Sequence, residues 1–210
     1  MKKFIVVFII VVIIFGTSVI VFTEGDIPSI RIVKQEQNNG TLKRLIHVYL
    51  DENIGSANNY RQLTVMLEML TPSDNVVFKL NSYGGNAYTM IQIYNAIKKT
   101  KAHTVADITM AMSAGAIIAL ACDEIIVNNF SVMMIHSIQT RVGGKISDIK
   151  NVVAHDVRFN YQIIQNVFKG FLSRREIKSV INGTEIWLCY DELQVKVNKW
   201  YKYKKLNKIK

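Results

Sequence analysis

Two apolar, strand-like runs in the middle of the chain each end in a turn of small residues. Residues 76–80 (Val-Val-Phe-Lys-Leu) precede Asn-Ser-Tyr-Gly-Gly at 81–85, and residues 103–109 precede Met-Ser-Ala-Gly-Ala at 112–116. A glycine pair after a strand lets the backbone turn sharply and present bare N–H groups to a ligand. Both turns are therefore predicted where a strand gives way to a helix, which is where many binding sites form.

Strand and helix patterns alternate along most of the chain. Apolar runs predict strands at 45–50, 76–80 and 124–127, and helical spacing predicts helices over 58–70, 87–98, 113–121 and 146–171. Ser173 and Glu176 predict a capping box at the start of a further short helix. Such alternation implies right-handed β-α crossovers and an α/β fold with a layered, largely parallel sheet.

Three side chains in this order are suited to hydrolysis: Ser113, His136 and Glu185. A serine among Ala and Gly at a helix start can be approached closely by a carbonyl group. A histidine can take its proton and a carboxylate can orient the histidine. The backbone N–H groups of Gly85 and Ala114 would then form an oxyanion hole.

Each of these residues alone is more typical of an ordinary structural role. Ser113 alone predicts a small packing residue, His136 a satisfied core histidine, and Glu185 a solvated or helix-capping carboxylate. Gly84 and Gly85 alone predict a tight turn. Their joint occurrence favours a catalytic set.

The motifs resemble the proteolytic subunit of the caseinolytic (Clp) protease and its phage-encoded relatives, from about residue 44 to residue 194. The family's Asn-Ser-Pro-Gly-Gly, Ala-Ser-Met-Gly-Ala and Val-Met-Ile-His motifs correspond to 81–85, 112–116 and 133–136. Its acid precedes an aromatic-Leu pair, as Glu185 does here. The resemblance implies a ClpP/crotonase-like β-α superhelix with a protruding handle helix.

The resemblance also implies a serine endopeptidase that needs no metal or organic cofactor. Ser113 would be the nucleophile, His136 the base and Glu185 the third member. The oxyanion hole would be Gly85 and Ala114. An extended peptide or unfolded protein would pair with the strand at Gly84 and Gly85.

Three residues depart from the family pattern: Tyr83 replaces proline, Ala114 replaces methionine, and Glu185 replaces aspartate. The first two leave the backbone N–H groups in place. A glutamate is one methylene longer, so it must fold back to reach the imidazole. Ser-His-Glu triads occur in other hydrolases, and the chemistry therefore allows this change.

The first 23 residues are predicted to be a membrane anchor. Residues 4–22 are nineteen residues without a charge, and as a helix they would be about 28 Å long, close to the thickness of a bilayer core. A cleaved signal peptide is the alternative, but its apolar region is usually shorter and an Ala-x-Ala site is missing. Lys2 and Lys3 before the segment favour a cytoplasmic N-terminus in a single-pass protein, with the peptidase domain across the membrane.

The rest of the chain is divided into a linker (24–43), the peptidase domain (44–195) and a basic tail (196–210). Nine of the 26 basic residues lie at positions 2–3 and in the tail, leaving 17 against 16 acidic ones. A nearly neutral body argues against a nucleic-acid-binding face. The tail is either a frayed, solvated terminus or a contact for anionic lipid or nucleic acid. Cys122 and Cys189 both have the pattern of small core residues, and no spacing suggests zinc.

The resemblance implies a homo-oligomeric ring, with two rings meeting through their handle helices. An anchor on every subunit favours a single ring or a smaller oligomer. An ATP-dependent unfoldase can be a partner only if the domain is cytosolic.

Three other functions remain open. A Ser-Lys membrane peptidase of the signal-peptide-peptidase type would need a lysine near Ser113. A catalytically inactive scaffold would act through its ring or membrane contacts. A crotonase-type acyl-CoA enzyme would bind CoA.

Overall fold

The computed structural model describes residues 28–38 and 41–207. Within these ranges the chain forms one six-stranded sheet and six α-helices. The strands are β1 (Ser29–Asn38), β2 (Thr41–Ile54), β3 (Asn75–Gly85), β4 (His103–Met112), β5 (Glu124–Ile135) and β6 (Ile186–Leu188). The helices are α1 (Arg61–Met69), α2 (Ala87–Lys99), α3 (Ala114–Ala121), α4 (Ile146–Val167), α5 (Arg174–Ile181) and α6 (Tyr190–Asn207).

The sheet keeps the order of the chain, from β1 to β6. Strands β2 to β5 are parallel, whereas β1 and β6 add antiparallel edges. Parallel neighbours need a crossover connection, and here helices α1, α2 and α3 supply it. The predicted α/β fold with a largely parallel sheet is confirmed.

Helix α3 lies wholly inside the protein. All eight of its residues are buried, from Ala114 to Ala121. A helix with no polar face is stable only when other elements cover every side, and α3 packs against β3, β4, β5 and α2. Ser113 immediately precedes it, and the start of the helix is therefore fixed by the core.

Each neighbouring pair of parallel strands changes register near the carboxyl ends of the strands. The β2–β3 pairing shifts between Glu52 and Asn53, the β3–β4 pairing between Leu80 and Asn81, and the β4–β5 pairing between Ile108 and Met110. A β-bulge bends its strand and increases the local twist. The carboxyl ends of these strands are therefore the irregular part of the sheet.

At the opposite end of the sheet, a buried aspartate ties three strand starts together. Asp74 accepts hydrogen bonds from Arg44 Nε at 2.9 Å and Arg44 Nη2 at 2.8 Å, and from Thr71 N at 2.8 Å. Its backbone carbonyl accepts from His103 N at 3.1 Å. Hydrogen bonds from the Arg44 guanidinium are the main reason that the pKa of Asp74 falls to about 2.

Two regions differ from the sequence-based expectation. Half of the predicted linker, residues 29–38, is β1, which pairs with β2 as a hairpin. Residues 196–207 of the predicted tail belong to α6. Leu193, Val197 and Trp200 are buried at helical spacing, a pattern that the many lysines between them concealed.

Lysine itself helps to dock α6. Lys204 is almost completely buried, and its Nζ lies 4.4 Å from the centre of the Trp200 ring and donates to the Asp123 carbonyl at 3.1 Å. The long apolar stem of lysine can be buried in this way when its charged end has partners.

The cysteines do not share one environment. Cys122 is buried as predicted, and burial raises the pKa of its thiol. Cys189 is exposed, so its prediction as a core residue was wrong. It lies between β6 and α6, where its backbone N–H donates to Glu192 Oε2 at 3.2 Å.

The predicted anchor, residues 4–22, lies outside the described residues. Among the helices of residues 28–38 and 41–207, none combines the length and hydrophobicity needed to cross a bilayer.

Replacing Asp74 with asparagine should lower the free energy of unfolding by about 3 kcal/mol at pH 7, because a buried charge pair loses one partner. Since the pKa of Asp74 lies near 2 in the folded protein and 3.8 is its ordinary value, the contribution is present above pH 4 and is lost as the pH falls through about 2. Urea unfolding at several pH values measures both effects. The control is Asp51→Asn at an exposed site; equal losses in the two variants would contradict the prediction.

Candidate active site

Ser113 occupies a strained turn between β4 and α3. Its backbone has φ 53° and ψ −113°, a region that non-glycine residues enter at a cost of about 1–3 kcal/mol. Its N–H donates to the Met134 carbonyl at 2.8 Å, and its own carbonyl accepts from Ala116 N at 3.1 Å. A sharp strand-to-helix turn of this kind exposes a nucleophile in other hydrolases.

His136 lies beside Ser113 because β4 and β5 are parallel neighbours. Met112 pairs with Met134 in the sheet, and the two strands end at the same edge. The Nε2 atom of His136 lies 2.6 Å from Ser113 Oγ. The structure thus brings together two residues that are 23 positions apart in the sequence.

Gly84 fits against the Ser113 turn only because it has no side chain. A Cβ on Gly84 would lie 2.7 Å from both Met112 O and Ser113 Cβ, and 3.0 Å from Ala114 N. Its φ of +94° is also a conformation that other residues rarely adopt. The glycine turn therefore packs directly on the serine turn.

Ser82 fixes the glycine turn from inside. Its Oγ is buried, donates to the Glu52 carbonyl at 2.6 Å and accepts from Gly84 N at 3.1 Å. This role of Ser82 was not predicted from the sequence. A serine two residues before the glycine was the available signal, because serine hydroxyls often bond the backbone two residues ahead.

A cavity of about 540 Å³ surrounds the Ser113 hydroxyl. The cavity is lined by both members of the predicted oxyanion pair, Gly85 and Ala114. Gly84 is buried and is not part of the cavity lining. The remaining lining combines polar groups with apolar side chains: Asn53, Tyr83, Asn86, Ala87, Met90, Ile117, Met134, Ile138, Gln139 and Glu185.

Comparison with known proteins assigns the chain to a family. The profile described as Clp protease matches residues 34–178, which is 145 of the 210 residues. The chain belongs to the Clp protease family. A search of curated proteins gave no match.

The matched segment contains Ser113 and His136 but ends seven residues before Glu185. Glu185 is exposed and lines the same cavity. Its Oε2 accepts a hydrogen bond from Trp187 Nε1 at 3.2 Å. Within the described residues no hydrogen bond joins it to His136, so the predicted three-residue contact is incomplete.

The backbone nevertheless places Glu185 opposite His136. Ile135 pairs with Ile186 in the antiparallel ladder of β5 and β6, and the next position of that register sets residue 136 opposite residue 185. Directly opposite residues of an antiparallel pair have Cβ atoms about 5 Å apart. Residues 136 and 185 are therefore neighbours along the backbone, although the Glu185 carboxylate bonds Trp187.

A Ser-Lys dyad and a metal site would each need particular groups in the cavity lining. No lysine is among the described residues that line it, as a Ser-Lys dyad would require. In the described part of the chain, no group of three or more His, Cys, Asp or Glu side chains is arranged to hold a metal ion.

Replacing Gly84 with alanine should destabilise the protein by more than the strain of its backbone alone, because the new Cβ meets the Ser113 turn. Gly183→Ala is a matched control, since Gly183 has φ +95° but a Cβ added there would meet nothing within 4 Å. We expect a loss of about 1–2 kcal/mol for the control and at least about 1 kcal/mol more for Gly84→Ala. Urea unfolding measures both; equal losses would show that the contact with Ser113 does not matter.

Proposed function

We propose that this chain is a serine endopeptidase that hydrolyses peptide bonds through Ser113, His136 and Glu185. The observation that carries the proposal is the 2.6 Å contact between His136 Nε2 and Ser113 Oγ in an open cavity. Membership of the Clp protease family supports the peptidase class.

In the proposed reaction, His136 Nε2 accepts the Ser113 proton while Oγ forms a bond to the substrate carbonyl carbon. The N–H groups of Gly85 and Ala114 stabilise the resulting oxyanion. As the C–N bond breaks, His136 returns the proton to the leaving amine. Water then attacks the Ser113 ester in the same way and regenerates the hydroxyl.

Glu185 acts in this proposal after its carboxylate leaves Trp187. Turned toward His136, it would accept a hydrogen bond from the other ring nitrogen and stabilise the imidazolium. A carboxylate in this position fixes the tautomer of the base. The register of β5 and β6 supports this role.

The proposed substrate is an extended segment of peptide or unfolded protein. Its backbone would pair with the strand at Gly84 and Gly85. Met90, Ile117 and Met134 give part of the cavity an apolar surface, which suits an apolar substrate side chain next to the cleaved bond.

We further propose that residues 4–22 hold the protein in a membrane as a single span, with the N-terminus in the cytoplasm. The uncharged run and the preceding Lys2 and Lys3 support this placement. The peptidase domains would then form a homo-oligomer on the far side, out of reach of a cytosolic ATP-dependent unfoldase. Resistance to alkaline extraction and protection from added protease test the span and its orientation.

Incubation of the full-length chain in mild detergent with a fluorescent fluorophosphonate should label Ser113 covalently. Ser113→Ala should abolish the labelled band, and His136→Ala should lower the labelling rate at least about 100-fold, because the general base is lost. Fluorescence of the band on a denaturing gel measures the rate.

Ser56→Ala and His103→Ala are controls outside the cavity and should label like the unaltered chain. Absence of labelling in the folded chain would contradict the proposal and favour the inactive scaffold. Full labelling of His136→Ala would exclude His136 as the base.

Glu185→Gln should slow labelling at least about tenfold, because an amide cannot stabilise the imidazolium as a carboxylate does. Glu68→Gln, an exposed position on α1, is the matched control. A rate for Glu185→Gln equal to that of the control would reduce the proposed triad to Ser113 and His136.

A further inference from the structure

The chain leaves the sheet at His136. β5 ends at Ile135, and residues 136–145 form no helix or strand. A base on such a segment needs other contacts to stay within hydrogen-bond distance of Ser113. Those contacts come from α4 and α5.

Asn160 of α4 holds the segment directly after His136. Its Oδ1 accepts a hydrogen bond from Ile138 N at 2.9 Å, and its Nδ2 donates to Ser137 Oγ at 3.3 Å. Ser137 Oγ in turn donates to the Val180 carbonyl at the end of α5. The oxygen and the nitrogen of the Asn160 amide therefore each bond one of the two residues that follow His136.

The position of Asn160 on its helix also points to a tertiary role. Of the 22 residues of α4, Ile164 is the single fully buried one, so most of the helix contributes no core packing. Asparagine is a poor helix former compared with alanine. Partly buried Asn160 faces the His136 segment instead of the solvent.

We propose that Asn160 is a positioning residue that holds the His136 imidazole against Ser113. The inference rests on the proposed function, since it assigns Asn160 a part in the same site. Without the side chain, Ile138 N–H loses its partner, and the backbone from His136 onward can move away from the serine. Ile138 and Gln139 line the cavity, so their displacement would also change its shape.

The test compares Asn160→Ala with Asn151→Ala in the full-length chain in mild detergent. Asn151 is exposed on the same helix, so both variants gain the same helix propensity and only one loses the contacts to Ser137 and Ile138. The first readout is the rate of fluorophosphonate labelling. The second is the imidazole NMR signal of His136 among the four histidines, assigned with His136→Ala.

We expect Asn160→Ala to label at least tenfold more slowly and to shift the His136 signal, with Asn151→Ala unchanged in both. Asn160→Asp keeps the acceptor for Ile138 N–H and should restore most of the rate. If Asn160→Ala does not fold, Asn160→Leu, which keeps the branching at Cγ without the polar atoms, takes its place.

The two readouts separate this inference from the proposed function. A normal rate and an unmoved His136 signal in Asn160→Ala would overturn the role of Asn160 alone. A folded, unaltered chain that is never labelled would overturn the proposed function. The NMR comparison still decides in that case whether Asn160 positions His136.

Discussion

The geometry of the site depends on the register shifts near the carboxyl ends of the parallel strands. Beyond these shifts β3, β4 and β5 carry the glycine turn, the Ser113 turn and His136. β3, β4 and β5 remain paired beyond the shifts, with Ser82 opposite Ala111 and Met112 opposite Met134. This continued pairing keeps the ends of the three strands adjacent.

Two contacts then fix the Ser113 turn relative to the strand that carries His136 and to the glycine turn. The Ser113 N–H bonds the Met134 carbonyl, which joins the serine turn to the strand that carries the histidine. The backbone of Gly84 lies against Ser113, and buried Ser82 holds the glycine in place. The nucleophile is thus fixed from both neighbouring strands. The glutamate, by contrast, is held by a three-residue edge strand and bonds an exposed tryptophan.

Local sequence patterns predicted the helices and strands around the site well, because short stretches of sequence determine these elements. The buried strands contain apolar runs, α3 is uniformly apolar, and Ser173 with Glu176 forms the predicted capping box. Prediction failed where pairing or docking over a long distance decides the structure. β1 is polar enough to be predicted as a linker and is a strand because β2 pairs with it. Likewise, residues 196–207 of α6 were predicted to belong to a basic tail because lysines separate the buried residues of the helix.

Sequence motifs suggested the residues of the candidate site but not all of their contacts. Ser113, His136 and the glycine turn follow from motifs next to strands, and parallel pairing brings them to one edge. The Glu185 carboxylate bonds Trp187, and a sequence pattern does not encode this choice of partner. The role of Asn160 depends on how α4 returns to the sheet, and its two hydrogen bonds cross 22 and 23 residues of chain.

The bond between Ser113 N and Met134 O also determines when the site can exist during synthesis. A chain that has emerged only as far as β4 contains the serine but neither the carbonyl that fixes its amide nor the imidazole that would take its proton. Both arrive with β5, and the residues that hold His136 arrive later still, on α4 and α5. A nascent chain that ends at β4 therefore carries the Ser113 hydroxyl without the groups that surround it in the folded protein.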